Sequence, residues 1–253
     1  MLGITVLHTL SLIFTTKEEV IDKKNKEIAL KRILKNKKVL LANLLAVGHM
    51  FAIYFVTPFV AATYQYKVLG LSVFAVSLIT AVSSLVRALV SRPLGKLGDK
   101  KSFAFLLNVC YVMLILAILV LVVMLPSFDS GKIVIDGIGS LYAFAILLLY
   151  NLFYAVAMGG INSGEMNIVY DFVEKEDRTS AYAILKTTSG LAGSLATVLA
   201  TALATVFQDK EMFVFGQRIY FIQIGGVICI ALMLGVILFN KLVVEKLKKA
   251  EEN

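Results

Sequence analysis

The sequence predicts an all-α, polytopic membrane bundle of six transmembrane helices arranged as a three-plus-three repeat. Three observations predict it. The chain of 253 residues is 59% hydrophobic with a mean hydropathy of +0.85, six apolar runs have the length of a membrane span, and the polarity of those runs repeats after the third. A soluble domain carries about 45–50% apolar residues, so the surplus here must be placed against lipid. Backbone groups left unpaired in hydrocarbon cost several kcal/mol each, which restricts the runs to helices or barrel strands, and none shows the roughly ten-residue alternation of a barrel.

The runs fall near residues 39–63, 70–91, 103–125, 139–161, 181–207 and 218–240, each long enough as a helix to cross a hydrocarbon core of ~30 Å. The first carries Asn43, His49, Tyr54 and Thr57, with Pro58 placed to kink it. The second sets Ser77, Thr80, Ser84, Arg87 and Ser91 at steps of three and four, which gathers them on one helix face. The third offers only Asn108 near its start and is expected to face lipid almost all round. The fourth holds Tyr150, Asn151 and Tyr154 and leaves through Gly159-Gly160-Ile161-Asn162-Ser163-Gly164, which has the composition of a mobile exit. The fifth repeats the stripe with Thr187, Gly190, Ser194, Thr197, Thr201 and Thr205, and the sixth has Gln223 and Asn240 as its main polar groups. The order is polar, striped, apolar, then polar, striped, apolar again.

Outside the bundle of residues 39–240, residues 241–253 form a tail, and residues 1–38 are expected to be the end of a preceding helix followed by a basic loop. Met1 to Thr15 is apolar but too short to span, and lacks the basic start of a signal peptide. Leu30, Ile33, Leu34 and Lys37 stand at helical spacing among lysines, which suits either a helix lying on an anionic leaflet or a solvated linker.

The 25 bases set the orientation. They crowd before the first run, between the second and third, between the fourth and fifth, and in the tail, leaving only Lys67, Lys132, Lys210 and Arg218 for the opposite side. Bases favour the cytoplasmic side, so both ends of the bundle are expected there, in a multi-pass protein of the cell membrane. The net charge of +8 is a topology signal. The bases lack interleaved stacking aromatics, so no nucleic-acid partner is expected. Cys110 and Cys229 read as buried structural thiols, and two cysteines with two unclustered histidines supply no metal site.

One polar connection carries more information. Ser91-Arg92-Pro93-Leu94-Gly95-Lys96-Leu97-Gly98-Asp99-Lys100-Lys101-Ser102-Phe103 resembles the G-x-x-x-D-[RK]-x-G-[RK] loop that joins the second and third helices of each half in the major facilitator superfamily. Gly95, Asp99 and Lys100 match it, while Ser102 and Phe103 replace a glycine and a base. Glu165-Met166-Asn167-Ile168-Val169-Tyr170-Asp171-Phe172-Val173, followed by Glu176-Asp177-Arg178-Thr179, is similar to the acidic connector before the eleventh helix of bacterial members. Val243 to Lys249 resembles their basic exit.

The resemblance implies that the chain is the C-terminal six-helix half of a carrier. The first helix of each triple would line a central cavity, the second would form the seam between halves, and the third would give outer support. The implied function is secondary active transport of a small solute by alternating access, with proton-coupled efflux as the form expected. The implied partners are the lipid bilayer, the solute, a proton, and a second six-helix half supplied by a separate chain or by a homodimer. A truncated, non-transporting half-bundle that acts as a scaffold or partner-binding subunit is the alternative.

Arg92, Gly95, Asp99 and Lys100 are then the candidate cytoplasmic gating loop, with Asp99 either latching the halves or capping the next helix. His49, Tyr54, Asn151 and Tyr154 are the candidates for a shared aqueous cavity. His49 either relays protons or is a neutral, hydrogen-bonded cavity histidine. Arg87 and Lys186 are the candidate buried charges; each is paired in the interior or snorkels to the interface, with Asp171 or Glu165 as possible partners of Lys186. No enzyme and no cofactor is expected. An intramembrane serine protease needs a Gly-x-Ser-Gly nucleophile ahead of its histidine, whereas Ser163-Gly164 follows Ile161 at the second position and both histidines come earlier. A phosphate-binding loop is missing as well.

Overall fold

A computed structural model describes residues 31–126, 133–208, 212–214 and 216–247. The expected preceding helix at residues 1–15, Leu30 and the far end of the tail lie outside these residues. The protein is all-α, and among the described residues six helices are long and apolar enough to cross a membrane.

Helix α1 (Lys37–Ile53) is capped by Asn36, whose side-chain oxygen accepts from the amides of Lys38 and Val39. It ends at Tyr54, because Pro58 has no N–H to donate four residues back. The chain restarts as a helical turn at Thr57–Phe59 and widens into a π-helix at Val60–Val68. Ser72 caps α2 (Val73–Lys100), Ser102 caps α3 (Phe103–Val123) and Ser140 caps α4 (Leu141–Tyr170), each accepting from the amide three residues on. A 3₁₀ turn at Lys175–Asp177 leads into α5 (Arg178–Gln208), and α6 (Phe221–Phe239) continues as a π-helix over Asn240–Val244.

Two small antiparallel hairpins precede α4 and α6 at the end of the bundle opposite the bases. The first pairs β1 (Val134–Ile135) with β2 (Gly139–Ser140), and the second pairs β3 (Met212–Val214) with β4 (Gln217–Ile219). Gly137 at φ +74° and Gly216 at φ +76° supply the left-handed turn residues.

Several helices outrun the hydrophobic segments that predicted them. The second through fifth spans include helical stretches of 28, 30 and 33 residues, about 42–50 Å long at 1.5 Å per residue. Such helices protrude from a ~30 Å core, which is why α2 runs to Lys100, α4 to Tyr170 and the last helix to Leu247 despite their charges.

Packing reveals the repeat. α1 packs mainly on α5 and α6, and α4 packs mainly on α2 and α3. Exchanging the first three helices with the last three turns each of these pairs into another, and the pairs α1–α4 and α3–α6 map onto themselves. Because two helices, α2 and α3, separate α1 from α4, the two run in opposite directions and the repeat is inverted.

The apolar third helix departs from expectation. Leu106, Leu107, Cys110, Tyr111, Leu114, Ile118 and Leu121 are fully buried, so α3 is a core element wedged between α4 and α6. Its uniform apolarity reflects protein contact on one side and lipid-compatible Val112, Leu119 and Val123 on the other. The glycines expected to loosen the exit of the fourth helix lie inside an unbroken α4. A Cβ on Gly160 would stand 2.5 Å from Cys110 Sγ, and one on Gly164 would stand 2.7 Å from Leu107 Cδ2. These glycines let α3 and α4 approach closely.

Residues 31–35 are helical, with Lys31, Arg32, Leu34 and Lys35 exposed. Ile33 is buried. The Arg32 guanidinium pairs with Glu174 at 2.9 Å and with buried Asp177 at 3.0 Å, and Asn36 donates to the carbonyl of Phe172. The segment before the bundle is thus fastened to the α4–α5 connection.

Candidate functional site

α1 buries Val39, Ala42, Asn43, Leu45, Ala46, His49, Ala52 and Ile53, a helical face that turns His49 inward. α4 buries Gly160, Ile161, Gly164, Glu165 and Ile168 on its own face. Its glycines admit the α3 side chains, and this close approach sets Tyr111 against Glu165. His49, Glu165 and Tyr111 consequently meet where α1, α3 and α4 converge.

His49 is 1% exposed and Glu165 5%, so both ionisable groups are withdrawn from solvent. His49 Nδ1 lies 2.9 Å from Glu165 Oε1, an ion-pair distance, but off the line of a directed N–H···O bond. Tyr111 donates its hydroxyl to the same oxygen at 3.1 Å, and its ring lies tilted against the imidazole with centroids 5.6 Å apart. His49 Nε2 has no hydrogen-bond partner among the described residues. In a low-dielectric interior the cost of burying a charge on either group is offset only by the other. Measured along the helices from the basic end, the three side chains sit about 18 Å into α1, about 12 Å into α3 and about 8 Å into α4.

The other cavity candidates stand apart from His49. Tyr54 lies with its ring over Gly193 of α5, where a Cβ would come within 3.2 Å, and it borders an open depression with Ser194, Thr197 and Thr201. Tyr154 stacks on Tyr150 at 5.7 Å and is within electrostatic reach of Tyr54 and Arg87. The Asn151 side chain donates to Leu147, and its backbone carbonyl accepts from Ser83. Tyr54, Asn151 and Tyr154 are half-buried and His49 is in the core. The expected quartet therefore divides into a half-open trio and one interior histidine.

The two candidate buried charges are exposed. Arg87 projects from the open side of α2, and Lys186 extends over the Tyr182 ring with its ammonium 5.5 Å from the centroid. Glu165 serves His49 and Tyr111 instead of Lys186.

Both striped helices also show their polar faces outward. Ser77, Thr80, Ser84, Arg87 and Ser91 on α2 are exposed, as are Thr187, Gly190, Ser194, Thr201 and Thr205 on α5. Only 17% of the apolar window of each helix is buried, against 56% for α1. Most stripe hydroxyls donate to a carbonyl of their own helix, as Thr80 does to Val76, Ser84 to Thr80 and Thr201 to Thr197. Their donors are satisfied without a neighbour, leaving faces that suit close helix contact.

The candidate gating loop is largely helix. Arg92, Gly95, Asp99 and Lys100 all lie within α2, and the connection itself is Lys101 and Ser102. Asp99 is exposed and does not cap α3, a role taken by Ser102. Of the two glycines that suggested a turn, Gly98 has a packing reason: a Cβ there would stand 2.6 Å from Phe103 Cε1.

Sequence reasoning missed Tyr111, hidden as one aromatic in an apolar run, and misplaced Glu165. Neither a protein-family model nor a curated protein matches this chain.

Proposed function

We propose that the chain is the C-terminal six-helix half of a major facilitator superfamily carrier, working as a proton-coupled secondary transporter of a small solute in the cell membrane. The buried His49–Glu165 pair with Tyr111 is the observation that carries this proposal. A membrane bundle rarely holds ionisable groups inside without using them, and this pair can exist with no, one or two protons. The outward polar faces of α2 and α5 supply the seam to a second half, and Tyr54, Asn151 and Tyr154 border the space between these helices.

In the proposed cycle the bundle rocks against its partner half around a midplane site. Closed packing of α1, α3 and α4 keeps water from the pair. When the basic end opens, water reaches His49 and Glu165 and the proton exchanges with the cytoplasm. Solute would bind against the Tyr54–Tyr154 side, so that the state of the pair and the occupancy of the site bias the same rocking equilibrium. Both bundle ends are cytoplasmic in this proposal, following the distribution of bases.

The test uses the chain in liposomes loaded with a pH-sensitive dye and challenged with a panel of small organic cations, anions and neutral solutes. At least one solute gradient should drive a proton flux that Glu165→Gln abolishes and Tyr182→Phe leaves intact. No solute-driven flux across the panel, or a flux indifferent to Glu165→Gln, would refute the proposal.

A further inference from the structure

At the end of the bundle opposite the bases, a cavity of about 390 Å³ opens between the π-helical end of the first span, the last turns of α5 and the start of α6. Its walls are aromatic and aliphatic: Phe59 meets Phe221 edge to face with centroids 4.9 Å apart, and Phe207 and Tyr220 line it beside Val68 and Ile219. Lys67 and Arg218 stand on it, and no acidic residue lines it among the described residues. These are the two described members of the four bases that the sequence leaves on this side of the membrane. The Arg218 guanidinium lies 5.4 Å from the Tyr220 ring centroid, a position that holds the cation near the aromatic wall.

Two further features make this a built site. Tyr64 lines the cavity, is 1% exposed, and has a hydroxyl that makes no hydrogen bond of proper geometry among the described residues although Gln223 is nearby. A buried hydroxyl normally finds a partner, and here a ligand atom can provide one. The start of α6 adds its positive helix end: Tyr220 is the N-cap, and Phe221, Ile222 and Ile224 face the cavity. The nine-residue π-helix that carries Thr63, Tyr64 and Lys67 into the wall is far longer than the single-turn bulges in which this geometry usually occurs, often at functional sites.

We infer that this cavity binds an amphipathic anion, with a carboxylate, sulfonate or phosphate group held by Lys67 and Arg218 and an apolar body among Phe59, Phe207 and Phe221. The charge comes from the two cations and the helix start, and orientation comes from the Tyr64 hydroxyl. The volume is that of a drug-sized body or of a lipid headgroup with the first part of its chains. This site is separate from the His49–Glu165 pair and does not depend on transport.

The experiment measures binding calorimetrically with the full chain in nonionic detergent, using naphthalene-2-sulfonate as the probe. Wild type should bind it with an affinity that falls as salt is added, and neutral 2-naphthol should bind far more weakly. The Lys67→Gln/Arg218→Gln double variant should lose about tenfold or more in affinity, as expected for removing charge-assisted contacts. Tyr64→Phe should weaken binding to a smaller degree. Ala204→Trp, which fills the cavity from the α5 side with both cations intact, should also abolish binding and covers the case in which the double variant does not fold. Displacement of the probe by dihexanoyl phosphatidylglycerol and not by the phosphatidylcholine analogue would identify the anion as a lipid headgroup, whereas indifference to both would identify a soluble anion. Equal binding of 2-naphthol, or unchanged binding in a folded double variant or in Ala204→Trp, would overturn the inference.

Discussion

At the scale of single residues, the interior of this bundle is governed by where small side chains permit approach. A Cβ on Gly164 meets Leu107 at 2.7 Å, whereas Gly190 on the outer face of α5 has nothing within 4 Å. Overpacking a close helix contact costs about 1–3 kcal/mol, so Gly164→Val should lower the midpoint of unfolding in SDS titrations while Gly190→Val leaves it nearly unchanged. Equal effects would mean that α3 and α4 do not pack as described. The buried pair yields a sharper expectation. Removing one member of a buried ion pair costs about 3–5 kcal/mol, and replacing both with apolar groups often costs much less. Glu165→Leu alone should therefore destabilise more than Glu165→Leu combined with His49→Phe, measured by the same titration as a double-mutant cycle. Simple additivity would show that the two side chains are not coupled.

His49 was legible from sequence as a histidine inside an apolar run, but its partner was not. Glu165 sits among Asp171 and Lys186 along the chain, and only the register of α4 against α1 decides that it faces His49. Tyr111 left no signal at all, because an aromatic in an apolar run looks the same whether its hydroxyl is used or not.

Elements follow from longer patterns, and these were read more completely. The stripes on α2 and α5 came directly from three- and four-residue spacing, and the structure sets them on exposed faces. Glycine misled in two of the places where it stands inside a helix. Gly95 and Gly98 resembled a turn, and Gly159 to Gly164 a loose exit, yet backbone hydrogen bonds continue through both because a helical glycine costs only about 1 kcal/mol.

One junction between elements depends on buried amides. Asn240, fully buried, donates to the Ala104 carbonyl at 2.8 Å and to Asn108 Oδ1 at 2.9 Å, and Asn108 donates to Glu245 at 2.8 Å. This chain of contacts ties the π-helical end of α6 to the start of α3. Asn240→Leu leaves the Asn108 carbonyl without its donor, a loss of about 1–3 kcal/mol. Faster amide hydrogen exchange should then be confined to residues 240–247 and the first turns of α3. Uniform acceleration across all six helices would show the effect to be global.

The whole molecule is a bundle with a packed interior and two outer helices whose polar stripes face away from it. Cys110 and Cys229 are both fully buried, so the native chain offers a low background for thiol labelling. Cysteines placed at Ser84 and Thr201 in liposomes should react with a small water-soluble maleimide if a partner half or a second copy leaves an aqueous path between these faces. Cysteines at Leu114 and Ile118 should stay inert. Reaction at the buried pair, with none at the stripes, would invert the assignment of inside and outside. The fold class was legible because hydropathy is a long-range average that no single contact can override. The pairing of α1 with α5 and of α4 with α2 was visible only as a repeating order of polarity, since spacing along a helix says nothing about which neighbour it meets.

The Arg32 contacts have a mechanical meaning. An ion pair bridging 142 and 145 positions of sequence acts as a clasp: it joins the strap of chain that enters α1 to the hinge between α4 and α5. A pull on that strap would be shared with the α4–α5 connection, and a rotation of α5 would drag the strap with it. The residues that precede the bundle thereby become a lever on the helix that carries the outer stripe, and the strength of that lever falls with added salt as exposed Glu174 is screened and buried Asp177 is left to hold it.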